Sequence, residues 1–105
     1  MKLLMSRIAA RTDRNHRAIV ERLRELGCTV QNLHGVHGGC PDLVVGVVGV
    51  THLVEIKDGD KPPSKRSFTP DQVEWISRWV GSPVVVLLSA DHATAWVQRL
   101  RGANA

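Results

Sequence analysis

Two cysteines, Cys28 and Cys40, are all this chain has, too few for the disulfide framework of a small secreted domain. No apolar run approaches the ~20 residues that a membrane helix needs. The opening Met1-Lys2-Leu3-Leu4-Met5-Ser6-Arg7 meets charge too soon for a secretory leader. These absences point to reduced thiols, no membrane and a cytoplasmic setting. Internal repeats and low-complexity stretches are missing too, which argues against solenoids and disorder. Aromatics are scarce, at 4%, and the main ones, Trp75, Trp79 and Trp96, are read first as core.

What is present is one domain's worth of chain, 105 residues, with a formal charge of +4. The basic excess is concentrated in residues 1–27, which hold seven Lys or Arg against three Asp or Glu. A polyanionic partner, most simply nucleic acid, fits that distribution.

The punctuation of the chain predicts residues 1–12 as a basic N-terminal arm, 13–101 as a single domain and 102–105 as a tail. A first helix is expected from Asp13, as N-cap, to Leu26, with Gly27 stopping it. Cys28 to Leu33 reads as a strand, and Leu43 to Val48 with Thr51 to Lys57 as a hairpin around Gly49. Thr69 followed by Pro70 marks the start of a second helix that runs to about Gly81. Pro83 to Leu88 reads as an apolar strand, and Ser89 as the cap of a last helix ending near Arg101. The order α-β-β-β-α-β-α implies an α/β chain with one sheet and flanking helices.

A hairpin symmetric about Val48-Gly49 sets Asp42 opposite Glu55, with Cβ atoms about 4.5–5.5 Å apart. Two carboxylates that close repel unless a cation lies between them, and hard oxygen donors favour Mg²⁺ or Mn²⁺. Lys57, two residues on, shares the face of Glu55 and could stabilise charge on a phosphate. On the second helix, Val73, Trp75, Ile76, Trp79 and Val80 span an arc of about 160°, which predicts a buried face. Gln72 falls within that arc, where it either bonds a backbone carbonyl or reaches the site. His34, His37 and Cys40, with Cys28, offer a less favoured zinc-like spacing.

Taken as a set, Gly38-Gly39-Cys40-Pro41-Asp42, Leu53-Val54-Glu55-Ile56-Lys57-Asp58-Gly59, Lys61-Pro62-Pro63-Ser64 and Phe68-Thr69-Pro70-Asp71-Gln72 resemble the small VRR-NUC domains. These are virus-type replication-repair nucleases of the PD-(D/E)xK superfamily, of the stand-alone phage and bacterial type. The resemblance implies a restriction-endonuclease-like αβββαβ core, an α+β mixed sheet. It implies Asp42 and Glu55 as metal ligands with the Ile56 carbonyl, Lys57 as the catalytic lysine and Gln72 as an accessory residue. It further implies Mg²⁺- or Mn²⁺-dependent hydrolysis of branched DNA, a resolvase-like homodimer, and a bacterial or phage-infected cell as setting.

One feature departs from that pattern. The superfamily's first-helix glutamate has no counterpart near His16 or Ala18. His16 lies on the inward arc and is the candidate replacement ligand. A nitrogen there would favour Mn²⁺ over Mg²⁺. Lys61, Ser64, Lys65 and Arg66, in the loop after Lys57, and Arg14 on the first helix are candidates for phosphate contact. The competing reading is a non-catalytic nuclease-fold module that only binds DNA.

Overall fold

The structure, a computed structural model, describes residues 2–103 and the side chains of residues 14–103. Its elements are α1 (Lys2–Glu25), β1 (Thr29–Asn32), β2 (Leu43–Val47), β3 (Val50–Ile56), α2 (Pro70–Arg78), β4 (Val85–Leu87) and α3 (Ala90–Ala103). A single 3-10 turn at Pro63–Lys65 breaks the loop before α2. The strands lie in the order β1-β2-β3-β4, antiparallel across the first three, with β4 parallel to β3. This is the mixed α+β sheet and the element order expected of a restriction-endonuclease-like core.

The β2–β3 register pairs Leu43 with Val54 and Val47 with Val50, so the hairpin is symmetric about Val48-Gly49. Both turn residues have positive φ, 53° and 72°. Two successive positive values make the tight turn whose twist suits a hairpin. Because side chains alternate along a strand, this register sorts the sheet into two faces. Leu43, Val45, Val47 and Val54 share one face and are buried with Ile19, Val20 and Leu23 of α1 and Ala93, Trp96 and Val97 of α3. Asp42, Val44, Leu53 and Glu55 belong to the other.

Helix α1 runs unbroken through Asp13, so the segment read as an arm continues the helix. No proline or glycine occurs before Gly27, and nothing in that stretch would interrupt a helix. The stop is as expected: Gly27 has φ 87°, its N–H donates to the Arg24 carbonyl, and Cys28 N–H donates to that of Leu23. That pair of bonds is a Schellman cap. Cys28 then packs in the core, which removes it from any zinc set.

Helix α2 departs more from expectation. Its apolar arc is only partly covered: Trp75 and Ile76 are half-buried, Val73 is 55% exposed, and Trp79 and Val80, just beyond its end, are 43% and 99% exposed. The helix is short, and it meets the sheet through the polar side chain of Gln72. Trp75 and Trp79 stack on each other, with ring centroids 5.1 Å apart. Trp96 alone of the three tryptophans lies in the core.

Candidate active site

The loop between β1 and β2 delivers Asp42. Its ends are tied where Leu33 N–H donates to the Asp42 carbonyl at 2.9 Å. Gly39, at φ 85°, lies so close to the start of α2 that a Cβ would sit 2.2 Å from the Asp71 carbonyl oxygen. Only glycine lets this loop seat against α2, which brings Asp42 and Gln72 to the same corner of the molecule.

Asp42 Oδ2 accepts the Ile56 N–H at 2.8 Å. The N–H and C=O of one strand residue point to the same side, so the Ile56 carbonyl also faces the Asp42 strand. Glu55 is 4% exposed, the one buried acid among the described residues. Its Oε2 accepts from Gln72 Nε2 and lies 3.8 Å from Lys57 Nζ. Its Oε1 is buried with no hydrogen-bond partner. Burial, then the neighbouring Asp42 carboxylate, pushes the Glu55 carboxyl up to about 8, against the pull of Lys57.

Of the two readings that its wheel position left open, Gln72 takes the second: it reaches the site, and its backbone partner is an N–H and not a carbonyl. Its backbone N–H donates to Thr69 Oγ1 at 3.2 Å and its Oε1 accepts Thr69 N–H at 2.9 Å, a capping box behind Pro70. The same Oε1 accepts from Lys57 Nζ at 2.8 Å. One amide therefore starts α2, orients the lysine and holds the glutamate. The Phe68 ring faces Lys57 from another side, with Nζ 5.7 Å from its centroid.

A hard cation fits this corner. Glu55 Oε1 has no hydrogen-bond partner, and a cation between it and Asp42 would take the place of the proton that burial and the Asp42 carboxylate keep on Glu55. Among the described residues no cluster of three or more His, Cys, Asp or Glu could hold a metal. The protein donors available here are thus two carboxylates and a backbone carbonyl.

His16 does not join them. Its Nε2 bonds Asn32 Oδ1 at 2.8 Å. Asn32 pairs with Leu43, so this contact lies on the helix-covered face, whereas Asp42 and Glu55 lie on the other. The expected replacement ligand is therefore on the wrong side of the sheet, and the Mn²⁺ preference built on it loses its basis. Its position on the inward arc reflects packing between α1 and β1. Lys61, Ser64 and Lys65 are exposed in the loop after Lys57, and Arg66 is half-buried there. Arg14 lines a hollow with Asn15, Asp58 and Asp60.

Asn15 is a site neighbour that the motifs do not point to. Its Nδ2 donates to the carbonyls of Lys57 at 3.1 Å and Leu88 at 3.4 Å, tying α1 to the end of the Lys57 strand. The signal for it is modest: Asn15 precedes the buried Ile19 by four residues and so shares its helix face. Cys40 is another neighbour, its thiol pKa raised by burial and by the negative charges of Glu55 and Asp42.

No protein-family model matches the chain, and neither does any curated protein. A search of solved structures finds a VRR_NUC domain with a TM-score of 0.58 and 28% sequence identity, covering 82% of this chain and 92% of that one. The match reaches fold and sequence together, and it agrees with the resemblance carried by the motifs. The chain has a VRR-NUC-type, nuclease-like fold.

Proposed function

We propose that the protein is a Mg²⁺- or Mn²⁺-dependent endodeoxyribonuclease acting on branched or four-way-junction DNA. The observation that carries this reading is the partnerless, buried Glu55 Oε1 beside Asp42, on the face where Gln72 holds Lys57. Asp42, Glu55 and the Ile56 carbonyl would hold the ion, which when bound supplies Lewis-acid polarisation of a phosphodiester oxygen. The chain's own residues do the rest. Hydrolysis forms a bond from water oxygen to phosphorus and breaks the bond to the leaving sugar oxygen. Lys57 carries three ammonium donors, and Gln72 Oε1 occupies one of them. The others are free to orient the attacking water or to offset charge on the phosphate. Gln72 and the Phe68 ring fix that ammonium in place. Lys61, Ser64, Lys65 and Arg66 extend a polar, basic track from the same strand end, and Arg14 adds a charge from α1.

The homodimer is supported by α2. Its exposed Val73, with Trp79 and Val80 just past its end, forms an apolar surface that a second copy would cover. Symmetric cutting of a junction needs two sites in fixed relation, which a two-fold dimer provides. Val80→Asp should then give a monomer by light scattering.

The reading is tested with labelled duplex, flap and four-way-junction DNAs, incubated with Mg²⁺, Mn²⁺ or chelator. Cleavage is expected with either ion, strongest on branched substrates and absent in Asp42→Asn. Binding with no divalent-dependent product would instead establish the non-catalytic module.

A further inference from the structure

The face of the sheet that carries no carboxylates has a groove of its own. It lies between α1 and the outer edge of β1, with a volume of about 450 Å³. Arg17 and Arg24, two turns apart, line its helix side, and Asn32 and His34 line its strand side. His16 forms the floor with Asn32: a carbonyl oxygen can only accept, so the bond between them uses the His16 Nε2–H. That leaves the Asn32 amide donors without a partner among the described residues. Arg24 is steadied by the Val30 carbonyl, which accepts from its Nη2 at 3.3 Å. Arg17 has no ion pair among the described residues. One acid, Glu21, lies between the arginines along the helix and reduces the local charge to a net positive one. Two guanidinium groups, the Asn32 amide and the His34 imidazole, converging on one hollow, are donors for a phosphodiester oxygen.

The groove is linked to the active site but cannot be reached along the same straight duplex. His34 is the neighbour of Leu33, whose N–H holds the Asp42 carbonyl, so the two sites share one loop root. Yet they open on opposite faces, and layers on a sheet stand about 10 Å from it on each side. Duplex DNA has a persistence length of about 150 base pairs and does not fold around a strand edge. A second arm or a single-stranded tail leaving a branch point can.

We infer that the Arg17–Arg24–Asn32–His34 groove is a phosphate-binding site for the backbone of DNA outside the cleaved duplex, a second arm or tail of a branched substrate. The inference rests on the nuclease reading for its choice of polyanion, but its test does not need cleavage.

The experiment measures binding of the full chain in chelator to a four-way junction, a flap and a blunt duplex, by fluorescence anisotropy over a range of salt. Arg17→Ala/Arg24→Ala should weaken junction and flap binding about tenfold and leave blunt-duplex binding within about twofold. The junction salt slope should become shallower by about two, one for each lost phosphate contact. Arg17→Lys/Arg24→Lys should recover most of the affinity, because a point charge still meets phosphate. Circular dichroism confirms folding of each variant. Unchanged junction affinity, or equal losses on junction and duplex, would overturn the groove. Cleavage of the four-way junction with Mg²⁺ or Mn²⁺ is scored separately: its absence in the wild type would remove the nuclease reading, while the binding ratios would still decide the groove.

Discussion

The two faces of the β1–β4 sheet are built on opposite terms. On one, α1 and α3 cover Leu43, Val45, Val54 and Leu87 so fully that each is 0% exposed. On the other, the short α2 touches down through Gln72, no residue of that helix is fully buried, and part of its apolar side faces outward. The first face is organised by apolar burial, which is non-directional and strong. The second is organised by a capping box, a lysine and a buried acid, which are directional and need partners. Among the described residues, each face also holds a misfit, a buried side-chain atom without a partner: His52 Nε2 under α3 and Glu55 Oε1 under α2. The covered face carries stability, and the open face spends some of it on a polar constellation that is complete only with something added.

The largest effect should come from breaking the covered face. Leu43→Ala removes a fully buried side chain beneath two helices and should cost about 2–5 kcal/mol in urea unfolding. Val73→Ser on the exposed side of α2 should change stability by under about 0.5 kcal/mol. Equal losses would mean that α2 is held to the sheet by more than its polar corner.

Next comes the polar corner itself. Gln72→Ala removes the partner of Lys57, the donor to Glu55 and half of the capping box in one step. On the proposed reaction it should lower cleavage by about 10–100-fold, the range seen when residues behind a metal ligand are lost. The cap adds about 1 kcal/mol of helix stability. Thr69→Ala loses the cap but leaves the Gln72 side chain, so it should share the stability loss and keep most of the turnover. A Thr69→Ala enzyme as slow as Gln72→Ala would show that the amide acts only through the helix.

Smaller, and opposite in sign, is the effect of removing the open face's misfit. The folded carboxyl of Glu55 is raised to about 8, so the folded state holds a proton that the unfolded chain has released. Stability from this group is complete below the ordinary carboxylate range and falls as pH rises through about 8. Glu55→Gln keeps an acceptor for Gln72 and cannot ionise. It should therefore stabilise the metal-free protein at pH 9 by about 1–3 kcal/mol, the scale of an uncompensated buried group, and change little at pH 4. Mg²⁺ should raise the wild-type melting temperature at pH 8–9 and leave that of Glu55→Gln unmoved.

What the sequence makes legible follows the same division. The hairpin turn, the Gly27 stop, the Thr69-Pro70 start and the Asp42–Glu55–Lys57 grouping all rest on local chemistry or on strand alternation, which short stretches of sequence encode fully. The burial of α2 is not local. Its apolar arc is present in the residues, but whether the chain supplies a surface to cover it depends on helix length and on the site beneath. His16 shows the same limit: a helical wheel gives the inward direction and is silent on which sheet face lies there. Asn15 escaped because its partners, the Lys57 and Leu88 carbonyls, are backbone groups brought together only by the parallel β3–β4 pairing.

The smallest predicted effect concerns the misfit of the covered face. His52 pairs with Val45, points to the helix side and meets Trp96 edge-on, with centroids 5.0 Å apart. Burial lowers its pKa from the usual 6.5, because the apolar surroundings disfavour the imidazolium. The folded state thus binds fewer protons than the unfolded one near pH 6. Stability from this group is present above about 6.5 and is lost as pH falls through the lowered value. Over the same range Glu55 pushes the other way, gaining stability as pH falls. The two slopes separate in a Glu55→Gln background, where the carboxyl no longer titrates. There, the melting temperature should drop between pH 7 and pH 5, and adding His52→Phe, which keeps the aromatic contact with Trp96, should flatten most of that drop. If the drop persists undiminished in the double variant, His52 is already protonated or solvated in the fold, and the covered face is wetter at the hairpin than its burial implies.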